Sequence, residues 1–301
     1  MVKVSVILPI YNVAPYLDET FQSLLTQTLS DIEIIAVNDG STDHSEQIIR
    51  KYQQQDPRIV FFSQENQGQS AARNLALRHA TGKYIYMMDS DDRLNSPDAL
   101  QICYDYAEKN QADFLFFDGE SFSEEGIQRT SWNTKRTHLV DENKRYDGEY
   151  LLHLMLDTCT HNCVVWLLFI RKSFLDRTGL RFYEGIIHED ELFTTTLTLS
   201  SQNIYCLKHS FVGHRIRPAS TMGINFSRRN LNCYLTVIDQ LLQFQRSPLT
   251  RKFARYTLSK VFYTGHVIPF RQKPAIFWRA LRSGYLPFIG LKSTLVFWLK
   301  K

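Results

Sequence analysis

The sequence predicts an α/β fold with a mainly parallel sheet flanked by helices, and two observations support this class. Short apolar runs rich in β-branched residues occur at 4–10, 32–37, 59–63 and 83–88. Continuous runs of this kind are typical of strands that are buried on both faces. Helical patterns separate the runs, and strands that alternate with helices indicate a doubly wound sheet.

The helices of this first region are predicted over 15–27, 43–55 and 70–79. The first has apolar residues at helical spacing, namely Leu17, Phe21, Leu24 and Leu25. Asp43 is a residue type favoured at helix N-termini, and Glu46 follows it three residues later. This spacing predicts a capping box at the start of the second helix.

The rest of the chain continues with mixed elements and ends in a basic helical region. Helices are predicted at 98–110, 150–155, 173–178 and 189–199, and strands at 112–118 and 204–212. The polar segment 119–146 is predicted to be irregular, and 164–171 is apolar. We expect one α/β domain over 1–222, divided near residue 118, and a helical, aromatic-rich extension over 223–301.

Composition indicates a globular protein of the cytoplasm. The 301 residues are 44% hydrophobic and 22% charged, with a net charge of +4. Five cysteines without a CxxC pair argue against a disulfide framework and favour a reducing compartment. The N-terminus enters an apolar strand at once, unlike a signal peptide, and no uncharged run approaches the ~20 residues that span a bilayer. Neither GxxxxGK[ST] nor GxGxxG occurs, so ATPases and dinucleotide-dependent oxidoreductases lose their main support.

Polar residues follow three of the four early strands at the point where each strand ends. Tyr11 and Asn12 follow the first, Asp39 follows the second, and Asp89 to Asp92 follow the fourth. In open parallel sheets, ligands bind at the carboxyl ends of the strands. We therefore expect these side chains to meet at one binding edge.

The stretch 89–92 holds three carboxylates in four residues directly after an apolar strand. Burial of a lone carboxylate is costly unless it is paired or binds a metal, which favours a cation site. The alternative is a solvated acidic turn before a helix, because aspartate is common in caps and loops. The position of the stretch beside Tyr11 and Asp39 favours the metal.

Five segments together resemble the family 2 inverting glycosyltransferases, of the bacterial surface-polysaccharide type. They are Ser5 to Asn12 (SVILPIYN), Val37 to Asp43 (VNDGSTD), Gly68 to Asn74 (GQSAARN), Met88 to Asp92 (MDSDD) and His188-Glu189-Asp190. The resemblance covers about 3–222 and implies a GT-A fold, with the nucleotide-sugar half at 1–118 and the acceptor half at 119–222. It also implies a nucleotide-sugar donor, usually a UDP-sugar, a divalent metal (Mn²⁺ or Mg²⁺) and inversion at the anomeric carbon.

The resemblance assigns donor-side roles residue by residue. It implies that Tyr11 stacks on uracil, that Asp39 accepts the uracil N3–H, and that Pro9 shapes this pocket. Further donor-side residues are implied by the same motifs: Gly68, Ala72 and Arg73 over the base and ribose, Asp89-Ser90-Asp91 as the DxD-type motif, and Arg215, Arg217 and Ser220 near the diphosphate. Within the motif, Asp91 is the implied metal ligand and Asp89 its support, whereas Asp92 is expected to support the site or cap a helix.

The remaining candidates concern the acceptor. Asp190 is the implied catalytic base, because an acceptor hydroxyl needs a base within hydrogen-bond reach; the alternative is an ordinary acid at a helix N-terminus. Trp166, His188 and Glu189 are candidates for the acceptor side, with a core role as the alternative for Trp166. His214 stands where the family more often has tyrosine, and it is either a further metal ligand or a loop residue.

The C-terminal segment from Ile268 interleaves aromatic residues with lysine and arginine. Such a pattern suits the surface of a membrane that contains anionic lipids. The alternative is a set of helices packed on the catalytic domain with a solvated basic face. No nucleic-acid-binding motif accompanies these charges, so we expect no nucleic-acid partner.

The sequence therefore predicts an inverting, metal-dependent transfer of a hexosyl or N-acetylhexosaminyl group to a glycan or lipid-linked acceptor. The expected place is the cytoplasmic face of the inner membrane. Two alternatives stay open at this stage: a nucleotidyltransferase on a similar sheet, and a non-catalytic protein that binds nucleotide sugars or glycans.

Overall fold

The computed structural model describes residues 1–123, 135–217 and 226–300. Within these ranges the chain forms one eight-stranded sheet. Its strands are β1 (Val4–Ile10), β2 (Ile32–Asp39), β3 (Ile59–Gln64), β4 (Tyr84–Met87), β5 (Arg93–Leu94), β6 (Phe114–Ser123), β7 (Leu168–Arg171) and β8 (Ile204–Ile216).

Helices separate and follow these strands. Those of the sheet region are α1 (Ala14–Leu25), α2 (Ser45–Gln55), α3 (Gln69–His79), α4 (Ala99–Asn110), α5 (Gly148–Asp157), α6 (Lys172–Thr178) and α7 (Glu189–Ser200). The C-terminal helices are α8 (Arg228–Phe244), α9 (Pro248–Thr264), α10 (Lys273–Arg282), α11 (Leu286–Ile289) and α12 (Leu291–Leu299).

The strand order is β3-β2-β1-β4-β7-β6-β8-β5, and the first four strands are parallel, which confirms the predicted fold class. The other half is mixed, because β7 pairs antiparallel with both β4 and β6 while β8 runs parallel to β6. The parallel half brings the carboxyl ends of β1, β2 and β4 to one edge.

Apolar layers cover both faces of the sheet. In β1, Val4, Val6 and Leu8 pack with α1, α2 and α4 on one face, whereas Ile7 packs with α3 on the other. Successive side chains of a strand point to opposite faces, so a strand covered by helices on both sides needs apolar residues throughout. This explains the continuous apolar runs of the sequence.

Two strands extend beyond their predicted ends. β6 was expected to end at residue 118 and β8 at residue 212, but they pair with each other as far as Ser123 and Ile216. Polar residues in these extensions hid them from the hydrophobic pattern, since the ladder between the two strands satisfies the backbone without an apolar run. Of the segment predicted to be irregular, residues 124–134 lie outside the described residues.

The predicted capping box before α2 does not form. Asp43 Oδ1 accepts a hydrogen bond from the Ser45 backbone N–H (3.0 Å), but its Oδ2 accepts one from the Ala14 N–H (3.0 Å). Glu46 accepts from Arg50 Nε (2.9 Å) instead of reaching back to the cap. The two loops after β1 and β2 therefore use Asp43 as a link between them.

The C-terminal helices share an apolar core with the sheet region. Leu152 of α5 and Leu192 of α7 belong to the same buried cluster as Leu235, Phe253 and Phe297. The predicted boundary between the domain and its extension falls within 218–225, which lies outside the described residues. Among the helices described, none is long and apolar enough to cross a membrane.

Candidate active site

The polar residues predicted to gather at one edge of the sheet follow strands that are neighbours with the same direction. Tyr11 follows β1, Asp39 ends β2, and Asp89 follows β4. The carboxyl edge of such a sheet is where ligands bind in open α/β folds. Tyr11 is 48% exposed there, whereas Asp39 is buried.

Asp39 fixes the turn that leads into α3. Its Oδ1 accepts hydrogen bonds from the Gln67 backbone N–H (2.9 Å) and from Gln64 Nε2 (2.7 Å), and its Oδ2 accepts one from the Gly68 N–H (2.9 Å). Gly68 has a φ of +91°, which glycine adopts without a steric penalty. A Cβ at this position meets no atom within 4 Å. The turn therefore requires glycine for its backbone conformation and not for space.

Pro9 is buried in β1, a central strand, where proline is uncommon because it lacks a backbone N–H. β1 pairs with β4 only over Val4 to Ile7, and the Ile7 carbonyl accepts a hydrogen bond from the Met88 N–H (3.0 Å). Residues two apart in a strand face the same neighbour. The nitrogen of Pro9 thus points past the end of β4, where no ladder bond is lost.

The loops after β1 and β2 are held together by Asn12, expected at the binding edge, and by residues 41 and 42, to which the sequence assigned no role. Asn12 Oδ1 accepts a hydrogen bond from the Thr42 backbone N–H (2.8 Å), and the Asn12 N–H donates to Ser41 Oγ (3.1 Å). Asn12 has a φ of 51°, a region in which asparagine is enriched. The available signal in the sequence was an asparagine shortly after a strand, because asparagine is common in turns and hydrogen-bonds to the backbone.

The acidic stretch after β4 divides into two partly exposed carboxylates and one buried carboxylate. The side chains of Asp89 and Asp91 are 24% and 15% exposed, whereas that of Asp92 is fully buried. Asp89 Oδ1 accepts a hydrogen bond from Gln69 Nε2 (3.0 Å), and Asp91 Oδ2 accepts one from Arg217 Nε (2.5 Å). Two carboxylates therefore face the edge of the sheet.

Asp92 ties the end of β4 to β8. Its Oδ1 accepts a hydrogen bond from the Arg215 backbone N–H (2.8 Å), and its Oδ2 lies 3.2 Å from His214 Nδ1. The Thr20 hydroxyl lies 2.7 Å from the Asp92 carbonyl and 3.0 Å from that of the buried Ser90. Burial raises the pKa of Asp92 to about 7, although His214 acts in the opposite direction. Of the two roles expected for Asp92, helix capping is wrong, because β8 takes both oxygens and Asp98 precedes the next helix; support of the site stays a prediction.

Arg73 joins the acidic stretch to the start of α7. Its Nη1 donates to Asp190 Oδ1 (2.8 Å) and Glu189 Oε1 (3.0 Å), and its Nη2 donates to Asp89 Oδ1 (3.0 Å). The side chain is 2% exposed, and the guanidinium lies 5.0 Å from the centre of the Phe182 ring. The sequence placed Arg73 over the base and ribose; the structure places its guanidinium among three carboxylates, as a buried cation requires.

Asp190 is the second residue of α7, with a side chain that is 21% exposed. Burial raises the pKa of Asp190 to about 7, while Arg73 acts to lower it and Glu189 to raise it. A carboxylate with a pKa near neutrality suits general base catalysis at neutral pH. The position also favours an acid through the helix dipole, so the two roles weighed from the sequence are compatible.

His188 connects the start of α7 to the C-terminal helices. Its ring stacks on Tyr234 at 4.2 Å, and its Nε2 lies 3.2 Å from Asn230 Nδ2, both on α8. His188 adopts a left-handed conformation with a φ of 68°. Among the expected acceptor-side residues, His188 and Glu189 thus have structural partners in α8 and Arg73.

Trp166, also expected on the acceptor side, is 2% exposed and belongs to the core. Its ring stacks on that of His214, with 5.2 Å between centroids and 11° between planes. A buried ring offers no face to an acceptor, so this expectation is corrected. Trp166 lies behind His214, as its alternative core role predicts.

Two arginines contact the acidic stretch 89–92 from β8: Arg215 lies in the strand and Arg217 follows its last residue. Arg215 Nε donates to the Asp91 carbonyl (3.0 Å), and its Nη2 pairs with Glu19 Oε2 of α1. The guanidinium carbons of Arg215 and Arg217 lie 4.9 and 5.6 Å from the Tyr16 ring centre. Glu19 and Tyr16 were missed, because Glu19 is 196 residues from Arg215 and no local pattern marks it.

The carboxylates at this edge fit a hard divalent cation that a substrate helps to bind. Across the described residues, no group of three His, Cys, Asp or Glu is placed to hold a metal. Asp89 and Asp91 supply two carboxylates, and Mg²⁺ is often bound by one or two carboxylates with substrate phosphates and water. His214 directs Nδ1 towards Asp92, and its role as a further metal ligand stays a prediction. Ser220, expected near the diphosphate, lies outside the described residues.

Comparison with known proteins shows the family to which the chain belongs. The family model described as Glycosyl transferase family 2 matches residues 5–177, more than half of the chain. The chain belongs to glycosyl transferase family 2. It is 32% identical to the uncharacterized glycosyltransferase EpsJ of Bacillus subtilis, over 85% of this chain and 71% of that protein. It is 33% identical to the glycosyltransferase GlyA of Streptococcus pneumoniae over 72% of this chain, but the match spans only 31% of GlyA.

Solved glycosyltransferase structures share the fold. TarS 1–349 of S. aureus in complex with UDP-GlcNAc has a TM-score of 0.64 at 17% identity, over 95% of this chain and 89% of that one. The mannosyltransferase PcManGT of Pyrobaculum calidifontis, in complex with GDP-Man and Mn²⁺, has a TM-score of 0.61 at 16% identity, over 97% and 79%. The GT-A fold and the glycosyltransferase class that the sequence predicted are confirmed. This family 2 enzyme is neither of the two alternatives, a nucleotidyltransferase or a non-catalytic binding protein.

Proposed function

We propose that this family 2 glycosyltransferase moves a hexosyl or N-acetylhexosaminyl group from a UDP-sugar to a hydroxyl group of a glycan or lipid-linked acceptor. Transfer proceeds with inversion and uses Mn²⁺ or Mg²⁺. The observation that carries the proposal is the convergence of Asp89 and Asp190 on the guanidinium of Arg73. Asp89, suited to the metal, and Asp190, suited to base catalysis, thereby have the same hydrogen-bond donor, Arg73.

The donor base lies at the ends of β1 and β2. Tyr11 stacks on the uracil ring, and its exposed side chain supports this role. Asp39 accepts a hydrogen bond from the uracil N3–H. A carboxylate can accept about four hydrogen bonds, and Asp39 accepts three within the protein, which leaves one acceptor site for uracil. Pro9 shapes the pocket beside them. The UDP-GlcNAc complex of TarS supports the choice of donor class.

The donor diphosphate lies at the end of β4. Asp91, with support from Asp89, holds the cation, which offsets the negative charge that develops on the leaving diphosphate. Arg215 and Arg217 approach the diphosphate from β8. The contact between Arg217 and Asp91 supports this placement, because the arginine lies beside the carboxylate proposed to bind the metal. The Mn²⁺ complex of PcManGT supports the metal.

Asp190 acts as the base. It takes the proton from the acceptor hydroxyl as the oxygen attacks the anomeric carbon, and the nucleoside diphosphate leaves from the opposite face. A single base without a covalent sugar intermediate gives inversion, as in the inverting glycosidases. Arg73 fixes the orientation of Asp190 Oδ1 through their hydrogen bond.

The acceptor belongs to a surface polysaccharide or a lipid-linked glycan, and the enzyme works peripherally on the cytoplasmic face of a membrane. Exposed apolar side chains of the C-terminal helices support the membrane location; they include Phe270 (68%), Trp278 (59%), Leu291 (77%) and Leu299 (73%). Aromatic and aliphatic side chains beside lysine and arginine are typical of helices at membrane interfaces.

A panel of UDP-sugars tests the proposal through UDP release with and without Mn²⁺. We expect Mn²⁺-dependent release with at least one sugar, and a loss of about 10²–10⁴-fold in kcat for Asp190→Asn, in line with the removal of a general base. Asp105→Asn is the matched control, because Asp105 is an exposed aspartate on α4. Equal turnover in Asp190→Asn and the control contradicts the assigned mechanism.

A further inference from the structure

One face of α9 forms a groove with α12. The groove has a volume of about 550 Å³. Its walls are lined by Lys252, Arg255, Tyr256, Ser259, Lys260, Tyr263, Thr264, Lys292 and Ser293. Residues at spacings of three and four lie on one side of a helix, so the α9 members form a continuous wall.

The α9–α12 groove is cationic, and only one of its four cations is paired with a carboxylate among the described residues. Four of its lining side chains are lysine or arginine, and none is aspartate or glutamate. Lys252 pairs with Asp157 of α5. Within the described part of the chain, Arg255, Lys260 and Lys292 have no carboxylate within salt-bridge distance. Three uncompensated cations around one groove favour an anionic occupant.

An apolar stripe borders this groove along α12. Leu291, Leu295 and Leu299 are 77%, 48% and 73% exposed, and their spacing of four places them on one face of the helix. The opposite face holds Phe297, which is buried against α9. Lys292 lies next to the stripe on the helical wheel and also lines the groove. The apolar stripe and the cationic wall are thus contiguous.

A cationic groove next to exposed leucines matches the two parts of a phospholipid. We propose that the α9–α12 groove binds the phosphate headgroup of an anionic membrane lipid, while Leu291, Leu295 and Leu299 enter the acyl region. A polyanion such as nucleic acid gains nothing from the leucines, whereas the acyl region beside an anionic headgroup buries them. This inference rests on the peripheral membrane location proposed above and names the site responsible for it.

The size of the effect follows from the charges. Each lysine or arginine near an anionic surface strengthens binding by roughly fivefold, so the three uncompensated cations together account for about a hundredfold. The effect is screened by salt. Removal of the three cations leaves the apolar stripe in place, so weak binding that does not depend on lipid charge persists.

Vesicle sedimentation with the full chain tests the site. The groove variant combines Arg255→Gln, Lys260→Gln and Lys292→Gln. The control variant combines Arg78→Gln, Lys109→Gln and Lys208→Gln, which removes the same charge from positions outside the groove. On vesicles of phosphatidylcholine with phosphatidylglycerol, we expect about a hundredfold weaker binding for the groove variant and less than about threefold for the control. Equal losses in the two variants overturn the proposal.

Two further arms separate the possible sources of failure. Inorganic phosphate distinguishes a membrane headgroup from a free phosphate: stabilisation of the wild type by phosphate, without binding to vesicles, overturns the lipid assignment. UDP release with a soluble acceptor is expected to be unchanged in the groove variant, because none of its residues belongs to the donor site. If wild-type protein releases UDP but does not sediment with anionic vesicles, the groove proposal fails while the glycosyltransferase mechanism stands.

Discussion

Arg73 Nη1 lies 2.8 Å from Asp190 Oδ1, and the same buried guanidinium bonds Glu189 and Asp89. One cation thus serves three carboxylates from two parts of the chain, the end of β4 and the start of α7. When all three are ionised, the cluster carries two negative charges in excess, which a divalent cation can compensate. Arg73 therefore links the proposed metal site to the proposed base.

Replacement of Arg73 is expected to damage both stability and catalysis. Arg73→Gln leaves three partly buried carboxylates without their cation, and the loss of these charge-assisted hydrogen bonds costs about 1.5–3 kcal/mol of unfolding free energy. Misplacement of a catalytic group by about 1 Å costs on the order of a hundredfold in rate. Urea denaturation and UDP-release kinetics measure the two effects.

Arg73→Lys and Arg78→Gln serve as the comparisons for this prediction. Lysine keeps the charge but not the planar fork that contacts three carboxylates, so we expect recovery of part of the stability and little of the rate. Arg78 lies on the same helix but is exposed, and its replacement is expected to be neutral. Wild-type rates in Arg73→Gln would mean that Asp190 needs no such anchor.

The pH dependence of the reaction is expected to report the pKa of Asp190. Burial raises that pKa to about 7, and only the ionised carboxylate accepts a proton. The value of kcat/KM for the donor, which reflects the free enzyme, should therefore fall about tenfold per pH unit below pH 7 and level off above it. An aspartate with the ordinary pKa of about 3.9 gives a flat profile over this range, and a flat profile contradicts the assignment.

Replacements of Asp91 and of Asp92 are expected to have different effects, although the two residues are adjacent. Asp91→Asn weakens the proposed cation site, so more Mn²⁺ is needed for half-maximal UDP release while the fold is kept. Asp92→Ala removes the carboxylate that accepts from the Arg215 backbone N–H and contacts His214 Nδ1, at a cost of about 1–3 kcal/mol of unfolding free energy. A Mn²⁺ titration and urea denaturation of both variants separate the effects, and identical behaviour would contradict this division.

The parallel half of the fold was predictable because its signals are local. The runs that became β1 to β4 are apolar, since helices cover both faces, and the polar residues at their ends mark the binding edge in the sequence itself. The paired extensions of β6 and β8 were not predictable in this way. They lack a continuous apolar run, and the partner strand that stabilises them is distant in sequence.

The contacts between the candidate site residues were not predictable from the sequence. Asp39, Asp89 and Asp190 were each expected near the donor or acceptor, yet the position of Arg73 among carboxylates was not, since 117 residues separate Arg73 from Asp190. Trp166 was misplaced for a related reason. From the sequence, an aromatic residue in an apolar segment fits either the hydrophobic core or the wall of an acceptor site. Only its tertiary contact with His214 decides between the two.

Gly68 is expected to influence donor binding through its backbone alone. Its φ of +91° and ψ of 164° place Gly68→Ala in a region essentially confined to glycine, with a cost of roughly 1–3 kcal/mol, although a Cβ there meets no atom within 4 Å. Gly179, with a φ of +65° and a ψ of 10° in the left-handed helical region and equally open space at the end of α6, is the control for a strained glycine outside the site. Both variants should lose stability in urea, Gly68→Ala by the larger amount, but only Gly68→Ala should raise KM for the UDP-sugar, because the Gly68 N–H holds the carboxylate of Asp39. Equal KM values in the two variants would show that the turn before α3 takes no part in binding the donor.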